Sequence, residues 1–167
     1  MPKHEGHLKR LIPFVRTARV VRDLRRTRKK IVFTNGVFDI LHRGHVEYLA
    51  KARDYGDLLI VGLNADSSTR RLKGPQRPIQ SQVDRAAILL ALRAVDYVVI
   101  FSEDTPERLI EIIRPDVLVK GSDYRPKEIV GGMFVKSYGG KVRRVRLTPG
   151  RSTTGIANAI SHGRKQG

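Results

Sequence analysis

Residues 31–48 read IVFTNGVFDILHRGHVEY. Ile31, Val32 and Phe33 form a β-branched and aromatic run that stops at Thr34-Asn35-Gly36, the composition of a buried strand entering a tight turn. From Gly44 onward, Val46, Leu49, Ala50 and Arg53 recur at helical spacing. The order is therefore strand, loop, helix. In the loop, His42-Arg43-Gly44-His45 sets two imidazoles around a glycine. In an open α/β sheet the crevice beyond the strand carboxyl ends is where ligands bind. Backbone N–H groups and the helix dipole favour anions at that same place. A lone histidine there would be a packing or capping residue; a pair spaced HxGH reads as a ligand site.

Working outward, the spacing predicts four further strands: Leu58–Leu63, Tyr97–Phe101, Val117–Val119 and Lys141–Arg146. Helices are predicted over Thr17–Arg26, from Gly44 to a C′ glycine at Gly56, and from a Ser81 cap to Arg93. The inner face of the last of these reads Val83, Ala86, Ala87, Leu90 and Ala91. Another helix starts at Thr105-Pro106-Glu107 with Thr105 as cap. A weaker one spans 126–138, broken at Gly131-Gly132, and a final one follows Arg151-Ser152-Thr153-Thr154. Residues 1–12 read as a mobile lead-in, and Thr69–Gln80 as a mobile basic loop rich in turn residues. Continuous apolar strands alternating with helices predict an α/β fold, a Rossmann-like open parallel sheet with helices on both faces. Right-handed crossovers then bring Asn35, His42, Asn64, Lys120, Asp123 and Ser152 to one rim.

The 167 residues read as one domain, with a basic arm and helix over 1–28 and a flexible tail over 161–167. The chain lacks cysteine, which excludes disulfides, thiolate metal sites and cysteine nucleophiles. No apolar run approaches the roughly 20 residues of a membrane span, and no signal-peptide core opens the chain, so the expectation is a cytoplasmic protein away from membranes. The formal net charge is +17. Such an excess suits polyanionic small substrates or nucleic acid, and for the arm alone it equally suits a solvated face.

Several chemistries drop out. There is no GxGxxG after a strand, no GxxxxGK[ST] and no GxSxG, which removes dinucleotide oxidoreductases, P-loop NTPases and nucleophile-elbow hydrolases. Histidines three apart with no third ligand nearby make weak zinc candidates. The remaining design is an anion site fed by basic side chains and helix N-termini, which suits phosphoryl or nucleotidyl transfer.

GVFDILHRGH resembles the signature of the HxGH nucleotidyltransferase superfamily, and Arg151-Ser152-Thr153-Thr154 resembles its second signature, about 110 residues on. TNGVFDILHRGHVEYLAKAR, RLKGPQRP, VKGSDYRPKEIVGG and PGRSTT further resemble the adenylyltransferase domain of bacterial ADP-heptose synthase, over about 31–160. Glycerol-3-phosphate cytidylyltransferase and archaeal FAD synthase are more distant likenesses. This resemblance implies transfer of AMP from ATP to a sugar 1-phosphate, D-glycero-β-D-manno-heptose 1-phosphate, with release of pyrophosphate. It also implies that a separate kinase makes the sugar phosphate.

The same resemblance implies the residue roles. His42, His45 and Lys73 would be catalytic, stabilising charge on the phosphates. The amides of Thr34, Asn35, Gly36, Val37 and Phe38 would approach the nucleotide with Gly44, while Gly121 and Asp123 would lie near adenine and ribose. Ser152, Thr153 and Thr154 would hold the β- and γ-phosphates. Arg151, where relatives often carry an aliphatic residue, would either add a cation or point outward. Arg85 would either stand near the nucleotide or be an exposed helix arginine. Asp39 would face the acceptor or cap the turn; Asn64 is an acceptor-side residue, and Arg77 either joins it or assists Lys73. Magnesium would bridge the ATP phosphates. A homodimer is compatible with the sequence. The competing class is a nucleic-acid-binding module using the basic arm, disfavoured because aromatics are few and several fall in predicted strands.

Overall fold

A computed structural model describes residues 3–146 together with 153, 155 and 156, the side chains of 3–5 and 7 excepted. The strands are β1 (Leu11–Ile12), β2 (Ile31–Gly36), β3 (Leu58–Asn64), β4 (Tyr97–Phe101), β5 (Val117–Gly121) and β6 (Lys141–Val145). They form a six-stranded sheet in the order β1-β4-β3-β2-β5-β6, and every pairing is parallel. The helices are α1 (Thr17–Arg26), α2 (Arg43–Arg53), α3 (Asp66–Lys73), α4 (Gln82–Ala91), α5 (Glu107–Ile113) and α6 (Gly132–Ser137).

The side-chain period of two in a strand divides the core into two layers. Val32 packs with Leu49 and Ala52 of α2 and Leu89 and Leu90 of α4. Its neighbours Ile31 and Phe33 pack on the other face with Val21 of α1, Leu109, Ile110 and Ile113 of α5, and Val135 of α6. Both faces of the central strands are covered, which is why β2, β3 and β5 open on continuous apolar runs. From β2 the chain steps outward through β3 to β4, then returns to the other side of β2 for β5 and β6. The order reverses between β2 and β5, and a crevice opens at the carboxyl ends of those two strands.

Five expectations are corrected. Residues 3–12 are ordered rather than a loose lead-in. A 3-10 stretch over Lys3–Arg10 leads into β1, which pairs with Val98 and Val99 of β4. The Arg10 guanidinium donates to the carbonyls of Val95 (2.9 Å) and Leu90. Residues 66–73 form α3, so Lys73 stands at a helix end and not in a mobile loop. On α4, Val83 is 56% exposed and Arg85 is 1% exposed, so the helix is rotated from the phase its apolar residues suggest. Gly56 lies beyond the α2 C-cap, Asp54, and is not left-handed. Its reason is close packing: a β-carbon there would sit 2.7 Å from Val32 Cγ2 and 2.8 Å from the Lys30 carbonyl. At the start of α5, Pro106 rather than Thr105 is the cap residue.

The final helix is described only at Thr153, Gly155 and Ile156; the rest of it and the tail over 161–167 lie outside the described residues. No helix among the described residues is long and apolar enough to cross a membrane.

Candidate active site

The site begins where β2 ends. Thr34 is buried, and its hydroxyl is 2.7 Å from that of Tyr48, which in turn donates to the Val119 carbonyl at 3.2 Å. The triad ties β2, α2 and β5 together at the switch point, and burial raises the Tyr48 pKa so that it stays a neutral donor. Thr34 therefore faces the core, while Asn35, Gly36, Val37 and Phe38 line the crevice.

The turn after β2 sets the histidines. Phe38 has φ of 47°, left-handed and strained for a side-chain-bearing residue. A β-carbon at Gly36 would lie 2.9 Å from the Phe38 ring, so glycine is what allows that ring to fold back. The ring meets His45 edge-on, with centroids 5.4 Å apart. His42, in extended conformation, precedes α2, and its imidazole stacks on His45 at 3.9 Å between centroids. The His42 backbone N–H donates to His45 Nδ1 at 3.4 Å. A neutral ring that accepts at Nδ1 carries its proton at Nε2, so His45 offers the crevice a donor. Burial, and secondarily the neighbouring His42, lower the His45 pKa to about 4.

The crevice has two connected lobes of about 680 Å³ and 400 Å³. The larger is bounded by Asp39, Asn64, Arg77 and residues 104–106, the smaller by His42, Gly44, Tyr48, Gly121 and Asp123. Both are lined by residues 35–38, His45, Lys73, Lys120, Tyr124 and Thr153. Thr153 belongs to the second signature, and its hydroxyl donates to the carbonyl of Ile40, within the first, at 3.3 Å. The two signatures thus meet. Arg151, Ser152 and Thr154 lie outside the described residues.

Three charged residues acquire definite surroundings. Asp39, 5% exposed, accepts from Arg77 (2.8 Å) and from the backbone N–H groups of Ile79 (2.8 Å) and Gln80 (3.0 Å). Burial opposes its charge, but these donors, Arg77 foremost, outweigh it and hold the pKa below the usual value. Asp39 therefore shapes the 77–80 turn while its edge lines the larger lobe. Arg85 is neither exposed nor a crevice residue. Its guanidinium donates to the carbonyls of Gln80 (3.1 Å), Val37 (2.6 Å) and Asn64 (2.9 Å) and to the Asp66 carboxylate (2.6 Å). It fastens the turn after β2 to the end of β3. Lys120, the last cation, is buried on β5 and donates to Asn35 Oδ1. Sequence reasoning set Lys120 on the rim without a role and passed over Tyr124. The available signal was a lysine closing an otherwise apolar strand, VLVKG. Among the described residues no three His, Asp or Glu side chains come together to hold a metal.

A parallel sheet with a ligand crevice at its switch point, and paired imidazoles at the helix start beside it, defines a Rossmann-like protein of the nucleotidyltransferase type. Residues 33–151 match the family model described as cytidylyltransferase-like, and the chain belongs to that family. It is 58% identical over 143 residues to the bifunctional protein HldE of Syntrophotalea carbinolica, covering 86% of this chain and 29% of that protein. The HldE of Campylobacter curvus is 62% identical over 135 residues, 81% of this chain and 28% of that one. The chain thus spans under a third of the length of these relatives. Among solved structures, a lipopolysaccharide core biosynthesis protein from Thermoplasma volcanium superposes with TM-score 0.59 at 31% identity, over 72% of this chain and 97% of that one. A pantoate–β-alanine ligase from Francisella tularensis shares the fold, with TM-score 0.59 at 16% identity over 94% of this chain and 79% of that one.

Proposed function

We propose that the chain transfers AMP from ATP to D-glycero-β-D-manno-heptose 1-phosphate, releasing pyrophosphate and forming ADP-heptose. An oxygen of the sugar phosphate attacks the α-phosphorus, and the bond from that phosphorus to the α,β-bridging oxygen breaks. There is little covalent chemistry for the protein to perform; positioning and charge stabilisation supply the rate.

The observation that carries the reading is the meeting of the two signatures. Thr153 bonds to Ile40 and shares both lobes with His45. His45, uncharged and donating from Nε2, stabilises the charge that develops on the bridging oxygen, and His42 completes the pair. The amides of residues 35–38, the start of α2 at Gly44, and the side chains of Ser152, Thr153 and Thr154 hold the triphosphate. Lys73 contacts its distal phosphates, and Gly121 and Asp123 bound the nucleoside. The larger lobe, with Asp39, Asn64 and Arg77, takes the acceptor. A magnesium ion would be held by the triphosphate and water, and its role is to neutralise phosphate charge. The heptose acceptor rests on the identity to the bifunctional relatives.

A pyrophosphate-release screen of four nucleoside triphosphates against sugar 1-phosphates and polyol phosphates tests the reading. The expected signal is ATP with the heptose 1-phosphate. A signal only for CTP with a polyol phosphate, or none with any pair, overturns it.

A further inference from the structure

Two substrates that both carry phosphate must meet at one point of the crevice, and the side chains common to both lobes mark where. Two of those side chains are cations, Lys73 and Lys120. They differ in kind. Lys73 is exposed at the end of α3, with a long stem free to swing. Lys120 is 7% exposed, sits at the carboxyl end of β5 beside β2, and is tethered to Asn35 Oδ1.

The surroundings of Lys120 leave its charge incompletely answered. The crevice's arginines already have carboxylates, Arg77 with Asp39 and Arg85 with Asp66. Lys120 has a neutral amide oxygen and the ring of Tyr124, 5.4 Å from its Nζ. Asp123 acts on it only through a longer-range field that favours the charged form. Among the described residues no carboxylate pairs with it directly. Holding a cation out of water opposite a neutral partner is costly, and that cost is relieved when an anion arrives. An ammonium has three donors, so two remain after Asn35.

We propose that Lys120 is a catalytic residue of the transfer: its ammonium, fixed by Asn35 at the wall common to both lobes, contacts the donor's α-phosphate and the acceptor's phosphate oxygen together. The inference rests on the transferase reading above. Two phosphates brought into contact repel, and a fixed cation between them offsets that repulsion and adds charge stabilisation as the pentacoordinate phosphorus forms. Asn35 is the positioning residue that aims it. Burial lowers the Lys120 pKa to about 8. The active form is the ammonium, so activity falls as pH rises through that value.

The test compares wild type with Lys120→Met, which keeps the length of the side chain without the charge. Thermal unfolding, ATP affinity by calorimetry, and kcat/KM for pyrophosphate release from pH 6 to 10 are measured on each. The expected result is an unfolding midpoint unchanged or raised, kcat/KM lower by about 10²–10³, ATP affinity lower by about tenfold, and no alkaline limb near pH 8. Activity and affinity within threefold of wild type, with the limb intact, overturn the proposal. If wild type releases no pyrophosphate with any sugar 1-phosphate, the acceptor reading fails separately. ATP affinity then decides for Lys120: a tenfold loss sustains it and an unchanged value overturns it. If Lys120→Met does not fold, the wild-type profile decides, and a kcat/KM flat from pH 7 to 10 overturns the proposal.

Discussion

The two rims of the sheet use charge in opposite ways. At the amino-end rim, aspartates accept from backbone N–H groups at or just before the strands: Asp57 from Lys30 (2.7 Å), Asp116 from Ile31 (2.8 Å) and Asp96 from Leu59 (2.7 Å). Two of these also face arginines, Arg53 at 2.9 Å from Asp96 and Arg25 at 3.7 Å from Asp116. Each of these carboxylates has a partner within the fold. At the carboxyl-end rim Asp39 and Asp66 are taken up by arginines that shape loops, while Lys73 and Lys120 face an open crevice. One rim is a closed circuit that holds strands in register. The other has positive charge left over for an anion.

Substitutions should separate these two behaviours. The largest effect is expected from His45→Ala: turnover down by about 10³ or more, with an unfolding midpoint close to wild type. Pyrophosphate release near the wild-type rate would move the chemistry elsewhere on the rim. Arg85→Ala should lower both rate and stability, the latter by about 3–5 kcal/mol, because it strands the Asp66 carboxylate and three carbonyls. Urea unfolding checks this, and a loss under 1 kcal/mol would mean the turn after β2 is held by other contacts. Lys73→Ala is expected to weaken ATP binding by about tenfold, about 1.4 kcal/mol, leaving stability unchanged. Asp116→Ala, on the opposite rim, should cost about 1–2 kcal/mol of stability and leave kcat untouched.

The smallest effect concerns pH. The folded His45 pKa of about 4 lies below the ordinary imidazole value of about 6.5, so between those values the unfolded chain binds more protons. The stabilising contribution is complete above about pH 6.5 and is lost as pH falls toward 4. His45→Gln should flatten that part of the urea-midpoint profile; an unchanged slope would assign it to other groups.

Much of this was legible from local rules. Five of the six strands and the bounds of α1 follow from apolar runs and periodicity, since the central strands are dry on both faces. The crevice followed from HxGH lying at a strand–helix junction. What escaped depended on distant partners. The phase of α4 was misread because Val83 is apolar and Arg85 is not, yet the four acceptors from residues 37, 64, 66 and 80 make the arginine the inward residue. α3 hid behind arginines and serines with no apolar stripe. β1 is two residues long and has meaning only against Val98 and Val99.

That short strand has a practical consequence for anyone shortening the protein. β1 occupies the flank of β4 that would otherwise present bare backbone N–H and C=O groups, an invitation for another molecule to add its own strand. Being two residues long, β1 offers little template itself. A version trimmed to begin at Pro13 should therefore fail by precipitation before it fails by melting, and Arg10 belongs in any minimal fragment.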